Sequence, residues 1–139
     1  PGARVIATVS TTQAADVAKA SGADVVIDRK REDVVARVKE ATQGAGVDRI
    51  LDVAFESNIE MDLAVLKPNG VIASYSAGSP TGAVSFPFPR YMAMGITLHT
   101  IMVYGMSREA HWAAVRDTTA ALKAGAYRPR IGARGDAGG

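Results

Sequence analysis

Residues 4–12 read RVIATVSTT, a mostly apolar run typical of a β-strand, followed by hydroxyl side chains that can begin a helix. A complete dinucleotide-binding domain would place a strand, a glycine-rich phosphate loop (G-x-G-x-x-G) and a helix before such a strand. No glycine cluster of this sequence has that spacing between a strand and a helix. The sequence therefore predicts an α/β unit that is entered after its first strand and phosphate loop.

The 139 residues have the composition of one globular domain, with 47% hydrophobic and 22% charged residues. We expect this domain to span residues 1–133, with a flexible tail at 134–139. A net charge of +2 gives no electrostatic reason to expect nucleic acid or an anionic membrane as partner. The sequence has no cysteine and no apolar run near the ~20 residues that span a bilayer. These features predict a soluble, cytoplasmic domain.

Strands and helices alternate along the chain, which is the pattern of a doubly wound parallel sheet with helices on both faces. Five strands are predicted, at residues 4–9, 25–27, 49–53, 71–75 and 96–104. One of the helices is expected to begin at a capping box, Ser57-Asn58-Ile59-Glu60, and to end at Pro68-Asn69-Gly70. A last helix is expected to begin at Ser107 and to end at Gly125.

Four stretches carry a more specific pattern, in a consistent order and spacing: GARVIAT (2–8), SGADVVID (21–28), GVDRILD (46–52) and KPNGVI (67–72). Through them the chain resembles the medium-chain dehydrogenase/reductase superfamily, and within it the zinc-independent NADPH:quinone oxidoreductases. The resemblance covers almost the whole chain and implies a Rossmann cofactor domain from its second strand to its sixth. It also implies that the family's catalytic domain, first strand and pyrophosphate loop lie upstream, so that this chain is a fragment of such an enzyme.

The strand order of the sheet follows from that implied loss. A Rossmann sheet has the order 3-2-1-4-5-6, so removal of strand 1 leaves a gap between strands 2 and 4. If those two strands close up, the five that remain read 2-1-3-4-5, which is the flavodoxin-like order. We predict this closed five-stranded sheet. The alternatives are that another chain inserts a strand into the gap, or that an upstream segment fills it.

The first candidate cofactor-binding residues are Ser10, Thr11 and Arg29, after the first two predicted strands. NAD-selective sites usually end the first of these strands with Asp or Glu, but here no acid follows before Asp16. Hydroxyl groups and a helix N-terminus can hold a 2′-phosphate instead, and the resemblance places Arg29 near the adenosine, which favours NADPH. In the simpler alternative, Thr11 or Thr12 only caps a helix and Arg29 belongs to a solvated basic run.

The second group of candidates is Ala54, Phe55, Ser76 and Ala77, which follow the third and fourth strands. Open α/β sheets bind ligands at this carboxyl edge. The resemblance implies backbone contacts to the nicotinamide half of the cofactor at the later pair. Many relatives carry a glycine near Phe55, where a phenylalanine would narrow the cofactor site or stack on the cofactor. The alternatives are a core position for the ring and a loop without a ligand role.

Residues 96–104 are predicted to form a long apolar strand at the sheet edge, which favours pairing with another chain. In the family the corresponding strand joins two subunits, so we expect a homodimer through the strand Ile96 to Tyr104. Neither His99 nor His111 has a partner at the spacing of a triad or metal site. No metal site and no catalytic residue are therefore predicted.

These observations support hypotheses from different classes. The first is the cofactor-domain fragment of an NADPH-dependent oxidoreductase, in which hydride passes from the nicotinamide to a quinone or enone. Without a phosphate loop, we expect the isolated chain to bind NADPH weakly or not at all and to be inactive. The second is a free-standing scaffold or oligomerisation module with no enzymatic role. The third is a fragment of a zinc-dependent alcohol dehydrogenase, with zinc held by an upstream domain.

Overall fold

The computed structural model describes residues 2–78 and 83–129. The chain divides into two compact units, Pro1–Met102 and Val103–Gly139, which are described in turn. The extent of the domain, residues 1–133, stays a prediction. The expected flexible tail at 134–139 lies outside the described residues.

The first unit alternates strands and helices along the chain. In order, they are β1 (Ile6–Val9), α1 (Thr12–Ala20), β2 (Val25–Asp28), α2 (Val34–Ala41), β3 (Val47–Asp52), α3 (Phe55–Val65), β4 (Leu66–Ser74), α4 (Phe88–Met94) and β5 (Thr97–Thr100). β1 pairs with β2, β3 with β4 and β4 with β5, and every pair is parallel. The predicted parallel α/β architecture with five strands is confirmed.

The predicted closure into a single five-stranded sheet is wrong. Among the described residues, β1 and β2 form one sheet, and β3, β4 and β5 form another in that order. The flavodoxin-like order 2-1-3-4-5 requires β1 to pair with β3, and these two strands do not pair. The order within each sheet is nevertheless that of a Rossmann sheet without its first strand.

Helix α2 packs against both sheets of the first unit. Val38 of α2 shares a buried cluster with Ile27 of β2 and with Val65 at the end of α3. Helix α2 therefore packs on the first sheet and beside a helix of the second sheet. The sheets are thus linked by helix packing, although among the described residues no strand of one sheet pairs with a strand of the other.

A second core cluster lies on the three-stranded sheet. Its buried members come from α3, β4 and α4, and they are Phe55, Ile59, Leu63, Leu66, Ile72 and Tyr91. Phe55, Ile59 and Leu63 are four residues apart, which is the spacing of one apolar face of a helix. Leu66 continues the same buried side at the start of the next strand. Because this cluster surrounds the start of α3, it holds the carboxyl edge of β3 and β4 in place.

The start of α3 differs from the predicted capping box. The helix begins at Phe55 with Ala54 as its N-cap, and Ser57 Oγ donates to the Ala54 carbonyl oxygen over 2.9 Å. Asp52 Oδ1 accepts hydrogen bonds from the Ala54 N–H over 2.9 Å and from Asn58 Nδ2 over 2.8 Å. The predicted box at Ser57 is therefore wrong, because the helix begins two residues earlier and its first N–H groups donate to the Ser76 and Ala77 carbonyl oxygens.

Two strand boundaries also differ from the prediction. Pro68-Asn69-Gly70 lies within β4, because α3 has already ended at Val65. β5 ends at Thr100, and residues 103–105 form a 3-10 turn instead of the end of the predicted strand 96–104. The partner strand explains this end, since Ser74 pairs with Thr100 and is the last residue of β4.

The second unit contains that 3-10 turn and helix α5 (Arg108–Lys123). As predicted, Ser107 caps the helix, and its Oγ accepts from the Ala110 N–H over 3.2 Å. Gly125 follows the helix with a positive φ of 67°, which confirms the predicted stop. Within residues 2–78 and 83–129, no helix is long and apolar enough to cross a membrane.

Candidate functional site

The first group of predicted cofactor residues comes together at the carboxyl ends of β1 and β2. Arg29 Nε donates to Ser10 Oγ over 3.2 Å, and the Arg29 backbone N–H donates to the Val9 carbonyl oxygen over 3.0 Å. Thr11 Oγ1 accepts from the Ala14 N–H over 3.1 Å and caps α1. Ser10, Thr11 and Arg29 therefore stand together where α1 begins.

The chemistry of this cluster suits an anion. The first turn of α1 contains no acidic side chain, and its N-terminal N–H groups lie at the positive end of the helix dipole. In the described part of the chain, the guanidinium of Arg29 forms no ion pair. Thr11 is the N-cap of α1, and whether it also contacts a cofactor stays a prediction. Ser10 and Arg29 keep donors that a phosphate could accept from.

The second group of predicted cofactor residues lies after the carboxyl ends of β3 and β4, where hydrogen bonds connect the two segments. The Phe55 N–H donates to the Ser76 carbonyl oxygen over 3.3 Å, and the Glu56 N–H donates to the Ala77 carbonyl oxygen over 2.8 Å. Ala54 precedes them as the N-cap of α3. The loop after β4 is thus bound along the first turn of α3, which brings all four predicted residues to one edge.

The ring of Phe55 does not lie at this edge. The residue is only 6% exposed, and its side chain belongs to the core cluster with Ile72 and Tyr91. The core alternative for the ring is confirmed, and only the backbone of Phe55 faces the loop after β4. Whether any of these four residues contacts a cofactor stays a prediction.

Two buried carboxylates beneath this edge are absent from the predicted site residues. Asp52, at the end of β3, is 4% exposed, and Asp62, on α3, is 3% exposed. The Oδ2 atom of each has no hydrogen-bond partner among the described residues. Burial raises the pKa of Asp62 to about 7, and the nearby charge of Asp52 is the second cause.

The hydroxyl group of Tyr91 belongs to the same buried region. It too lacks a hydrogen-bond partner within residues 2–78 and 83–129. Burial raises the pKa of Tyr91 to about 12, and the charges of Asp62 and Asp52 add to the shift. Among the described residues, the interior of the second sheet therefore contains three polar side chains with an atom that lacks a hydrogen-bond partner. The neutral form of Asp62 can supply one of these bonds, to Asp52.

A sequence signal for Asp62 does exist. Asp62 lies three residues after Ile59, a spacing that places it beside the apolar stripe of α3. An acid beside such a stripe is buried with its neighbours when the helix packs. No comparable signal shows that Asp52 lies against it, because the two residues belong to different elements.

Both carboxylates line a groove of about 570 Å³ between the two sheets. β1 lines it on one side and β3 on the other, and Asn58 and Val65 of α3 also contribute. Part of the groove wall is apolar but exposed, since Leu51 is 70% and Val53 50% exposed. Among the described residues, no three His, Asp or Glu side chains lie close enough together to hold a metal ion.

The comparisons with known proteins agree with this architecture. The family model of the zinc-binding dehydrogenases matches residues 1–121. The chain is 38% identical over 84 residues to quinone oxidoreductase 1 of Escherichia coli. These residues make up 60% of this chain and 25% of that protein. It is also 36% identical over 78 residues to a 2-haloacrylate reductase from Burkholderia. These residues make up 56% of this chain and 23% of that protein. The chain thus spans about a quarter of the length of these relatives.

A solved structure supports the same assignment. The E. coli quinone oxidoreductase complexed with NADPH matches with a TM-score of 0.82 and 28% identity, over 94% of this chain and 40% of that chain. The chain belongs to the zinc-binding dehydrogenase family and, within the medium-chain dehydrogenase/reductase superfamily, corresponds to part of the cofactor-binding domain.

Proposed function

We propose that this chain is the cofactor-domain portion of an NADPH-dependent quinone or enone oxidoreductase. The observation that carries the proposal is the cluster of Ser10, Thr11 and Arg29 at the carboxyl edge of β1 and β2. The named relatives act on quinones and on 2-haloacrylate. Both compounds have a carbon–carbon double bond conjugated to a carbonyl group, so the substrate class that we propose is a conjugated carbonyl compound.

The preference for NADPH over NADH is argued from the charges at this cluster. Arg29 supplies a cation, Ser10 a hydroxyl group, and the first turn of α1 supplies N–H groups. No acid stands at the end of β1, so no negative charge repels the 2′-phosphate of NADPH there. The ribose hydroxyl groups of NADH, in turn, lack the carboxylate that usually accepts their hydrogen bonds. The cluster therefore fits the 2′-phosphate of NADPH.

The loop after β4 is proposed to hold the other half of the cofactor. Ser76 and Ala77 are fixed by hydrogen bonds to the first turn of α3, beside Ala54. A loop fixed in this way can orient a flat ring without rearranging. When bound, the nicotinamide supplies the hydride that reduces the substrate. The residues of this chain bind and orient, and we propose no catalytic residue among them.

The test is a titration of the chain with NADPH and NADH up to millimolar concentrations, followed by calorimetry and by the melting temperature. We expect weak binding of NADPH and weaker binding of NADH. Arg29→Ala should weaken NADPH binding about tenfold and leave NADH binding unchanged, because the variant removes a charge-assisted contact to the 2′-phosphate. Lys30→Ala, an exposed neighbouring cation, is the matched control and should bind both cofactors like the parent chain.

Equal affinity for the two cofactors, or a preference that survives Arg29→Ala, would contradict the NADPH assignment. If neither cofactor shifts the melting temperature, the scaffold hypothesis is favoured instead. We expect no turnover of a quinone by this chain alone. A cytoplasmic location is part of the proposal, supported by the absence of cysteine from the sequence.

A further inference from the structure

Two carboxyl groups lie buried together beneath the carboxyl edge of the second sheet. Asp52 of β3 is 4% exposed and Asp62 of α3 is 3% exposed, and the two side chains are close enough for a hydrogen bond between them. Among the described residues, neither acid forms an ion pair. Two adjacent negative charges without a counter-ion are not stable in a buried site, so the pair needs a proton.

The hydrogen-bond donors around the pair indicate which acid carries that proton. Asp52 Oδ1 accepts from the Ala54 N–H over 2.9 Å and from Asn58 Nδ2 over 2.8 Å, and such bonds favour the charged form of Asp52. The Oδ2 atoms of Asp52 and Asp62 both lack a partner within residues 2–78 and 83–129. A hydroxyl group on Asp62 that donates to Asp52 Oδ2 satisfies both atoms with one proton.

No cation in the described part of the chain offsets the charge of this pair. The hydroxyl group of Tyr91 on α4 stays neutral, because burial and the charges of both acids raise its pKa to about 12. The charged and titratable side chains of the neighbouring elements are exposed or already paired. They are Arg49 on β3, Glu56 on α3, Lys39 on α2, His99 on β5, Arg37 with Glu32 and Glu40, Lys67 with Asp48, and Arg90 with Glu60.

Asp52 also belongs to the turn that receives the loop after β4 (residues 76–78). The first two N–H groups of α3 donate to carbonyl oxygens of this loop over 3.3 and 2.8 Å. A Cβ on Gly78 would lie 2.8 Å from Ala54 Cα, so the loop packs closely on the turn that Asp52 holds through the Ala54 N–H. A displacement of Asp52 is therefore transmitted to the loop.

Loss of the shared proton acts on Asp52 more than on Asp62. Asp62 lies within α3 beside Leu63, which belongs to the core cluster, so helix packing fixes its position. Asp52 ends β3 and is followed by Val53, which is 50% exposed. When both acids are charged, their repulsion therefore displaces Asp52 toward water and loosens the turn.

We propose that Asp52 and Asp62 share one proton between their Oδ2 atoms and that this proton keeps the loop after β4 bound to the first turn of α3. Asp62 acts through Asp52 and is a positioning residue for the loop. Burial raises the pKa of Asp62 from its ordinary 3.8 to about 7, so the proton is held below neutral pH and lost above it. The inference does not depend on NADPH, so it and the proposed function can fail separately.

The test follows the Asp62 carboxyl carbon and the amide groups of Ser76 and Ala77 by NMR of the full chain from pH 5 to pH 9. We expect the carboxyl signal to change with a midpoint near pH 7 and both amide signals to follow the same midpoint. Above it, their heteronuclear NOE should fall by at least about a third, because release increases fast motion. The Ala14 amide, bonded to its cap Thr11, is the internal reference and should not change.

Two results of this titration would overturn the proposal. An Asp62 carboxyl that is already fully charged at pH 5 would exclude the shared proton. A midpoint near pH 7 without any change at Ser76 and Ala77 would exclude the coupling to the loop.

Two variants assign the step to its residue. Asp62→Asn keeps a donor for Asp52 at every pH and should abolish the step at Ser76 and Ala77. The control is His99→Gln, because His99 pairs with Ala73 of β4 and histidine side chains in general change charge in this pH range. We expect His99→Gln to retain the step. A step that is lost in His99→Gln and kept in Asp62→Asn would overturn the assignment.

A third variant tests the pairing of the two acids and needs no folded Asp62→Asn protein. Asp52→Asn keeps an acceptor for the Ala54 N–H but removes the charge beside Asp62. The midpoint of Asp62 should then lie about one pH unit lower than in the parent chain. An unchanged midpoint would show that the two carboxyl groups do not interact and would overturn the proposal.

Discussion

At the scale of the residue, Asp62 shows a conflict between packing and charge. Its place beside the apolar helix stripe carries it into the core, where it is 3% exposed and lies near the second acid, Asp52. Burial of a carboxyl favours the neutral form, and a like charge nearby does the same. The pKa of about 7 is the result of both effects.

This raised pKa predicts a pH dependence of stability. Its ordinary value is 3.8, so between about pH 4 and pH 7 the folded chain holds a proton that the unfolded chain releases. The contribution of this group to stability is therefore present at low pH and lost as the pH rises through 7. Asp62→Asn should match the parent at pH 4 and exceed it at pH 8, by at most about 4 kcal/mol.

Urea unfolding of both proteins at pH 4, 6 and 8 measures this difference. The exposed Asp117→Asn variant is the control, and its difference from the parent should not grow with pH. A constant offset between Asp62→Asn and the parent at all three pH values would show that Asp62 ionises normally in the folded chain.

Two glycines of the loop before β3 allow a second test at this scale. Gly44 and Gly46 have the same φ of +83°, but a Cβ on Gly46 would lie 2.5 Å from the Val65 carbonyl oxygen, while one on Gly44 would meet nothing within 4 Å. We expect Gly44→Ala to cost about 1 kcal/mol for the strained backbone alone. Gly46→Ala adds a clash and should cost at least about 2 kcal/mol more. Equal losses in chemical denaturation would exclude the close contact.

At the scale of the element, α2 is the helix that relates the two sheets. Asp33 caps it, with Oδ1 accepting from the Ala36 N–H over 3.0 Å, and Val38 buries its inner face. The helix contacts both β2 and α3. It therefore holds β1 and β2 against the rest of the unit although no strand connects the sheets.

Shortening Val38 tests this role. Val38→Ala removes two methyl groups from a site that is 4% exposed, so we expect a loss of about 2 kcal/mol in the free energy of unfolding. Val17→Ala on α1, at 38% exposure, is the matched control and should cost less than about 0.5 kcal/mol. Hydrogen exchange in β1 and β2 should accelerate more than in β4 for Val38→Ala. Uniform acceleration in both sheets would contradict a bridging role for α2.

At the scale of the whole molecule, the outer edge of β5 tests the expected homodimer. The Ile101 N–H donates to the Ser74 carbonyl oxygen over 2.8 Å, so the alternate residue Thr100 faces away from β4. Thr100→Pro removes an outward N–H and should convert a dimer to a monomer without loss of the fold. Thr100→Val keeps that N–H and should remain dimeric.

Sedimentation velocity over a range of protein concentrations distinguishes these outcomes. A monomeric parent chain at high micromolar concentration would contradict the expected dimer. A dimer that persists in Thr100→Pro would instead place the interface away from β5. The observed strand is shorter than the predicted Ile96 to Tyr104, so any pairing is limited to Thr97–Thr100.

The sequence by itself determined the alternation of strands and helices, their parallel class and the N-caps of two helices. Ser107 was predicted as a cap, and Thr11 or Thr12 as an alternative cap. Ser107 and Thr11 are caps, because a cap bonds an N–H only three residues away. Ile59 and Leu63 are buried for a similar reason, since a helix places residues four apart on one face. Local geometry is enough for such features.

Only the tertiary structure decided the gap between the sheets, the core position of Phe55 and the meeting of Asp52 with Asp62. Among the described residues β1 does not pair with β3. Pairing between these strands depends on contacts that are far apart in the sequence, and no window of sequence shows them. The acids come from a strand and a helix, and their proximity depends on how those elements pack. Contacts between elements are set by helix diameter and side-chain volume, which act across the fold.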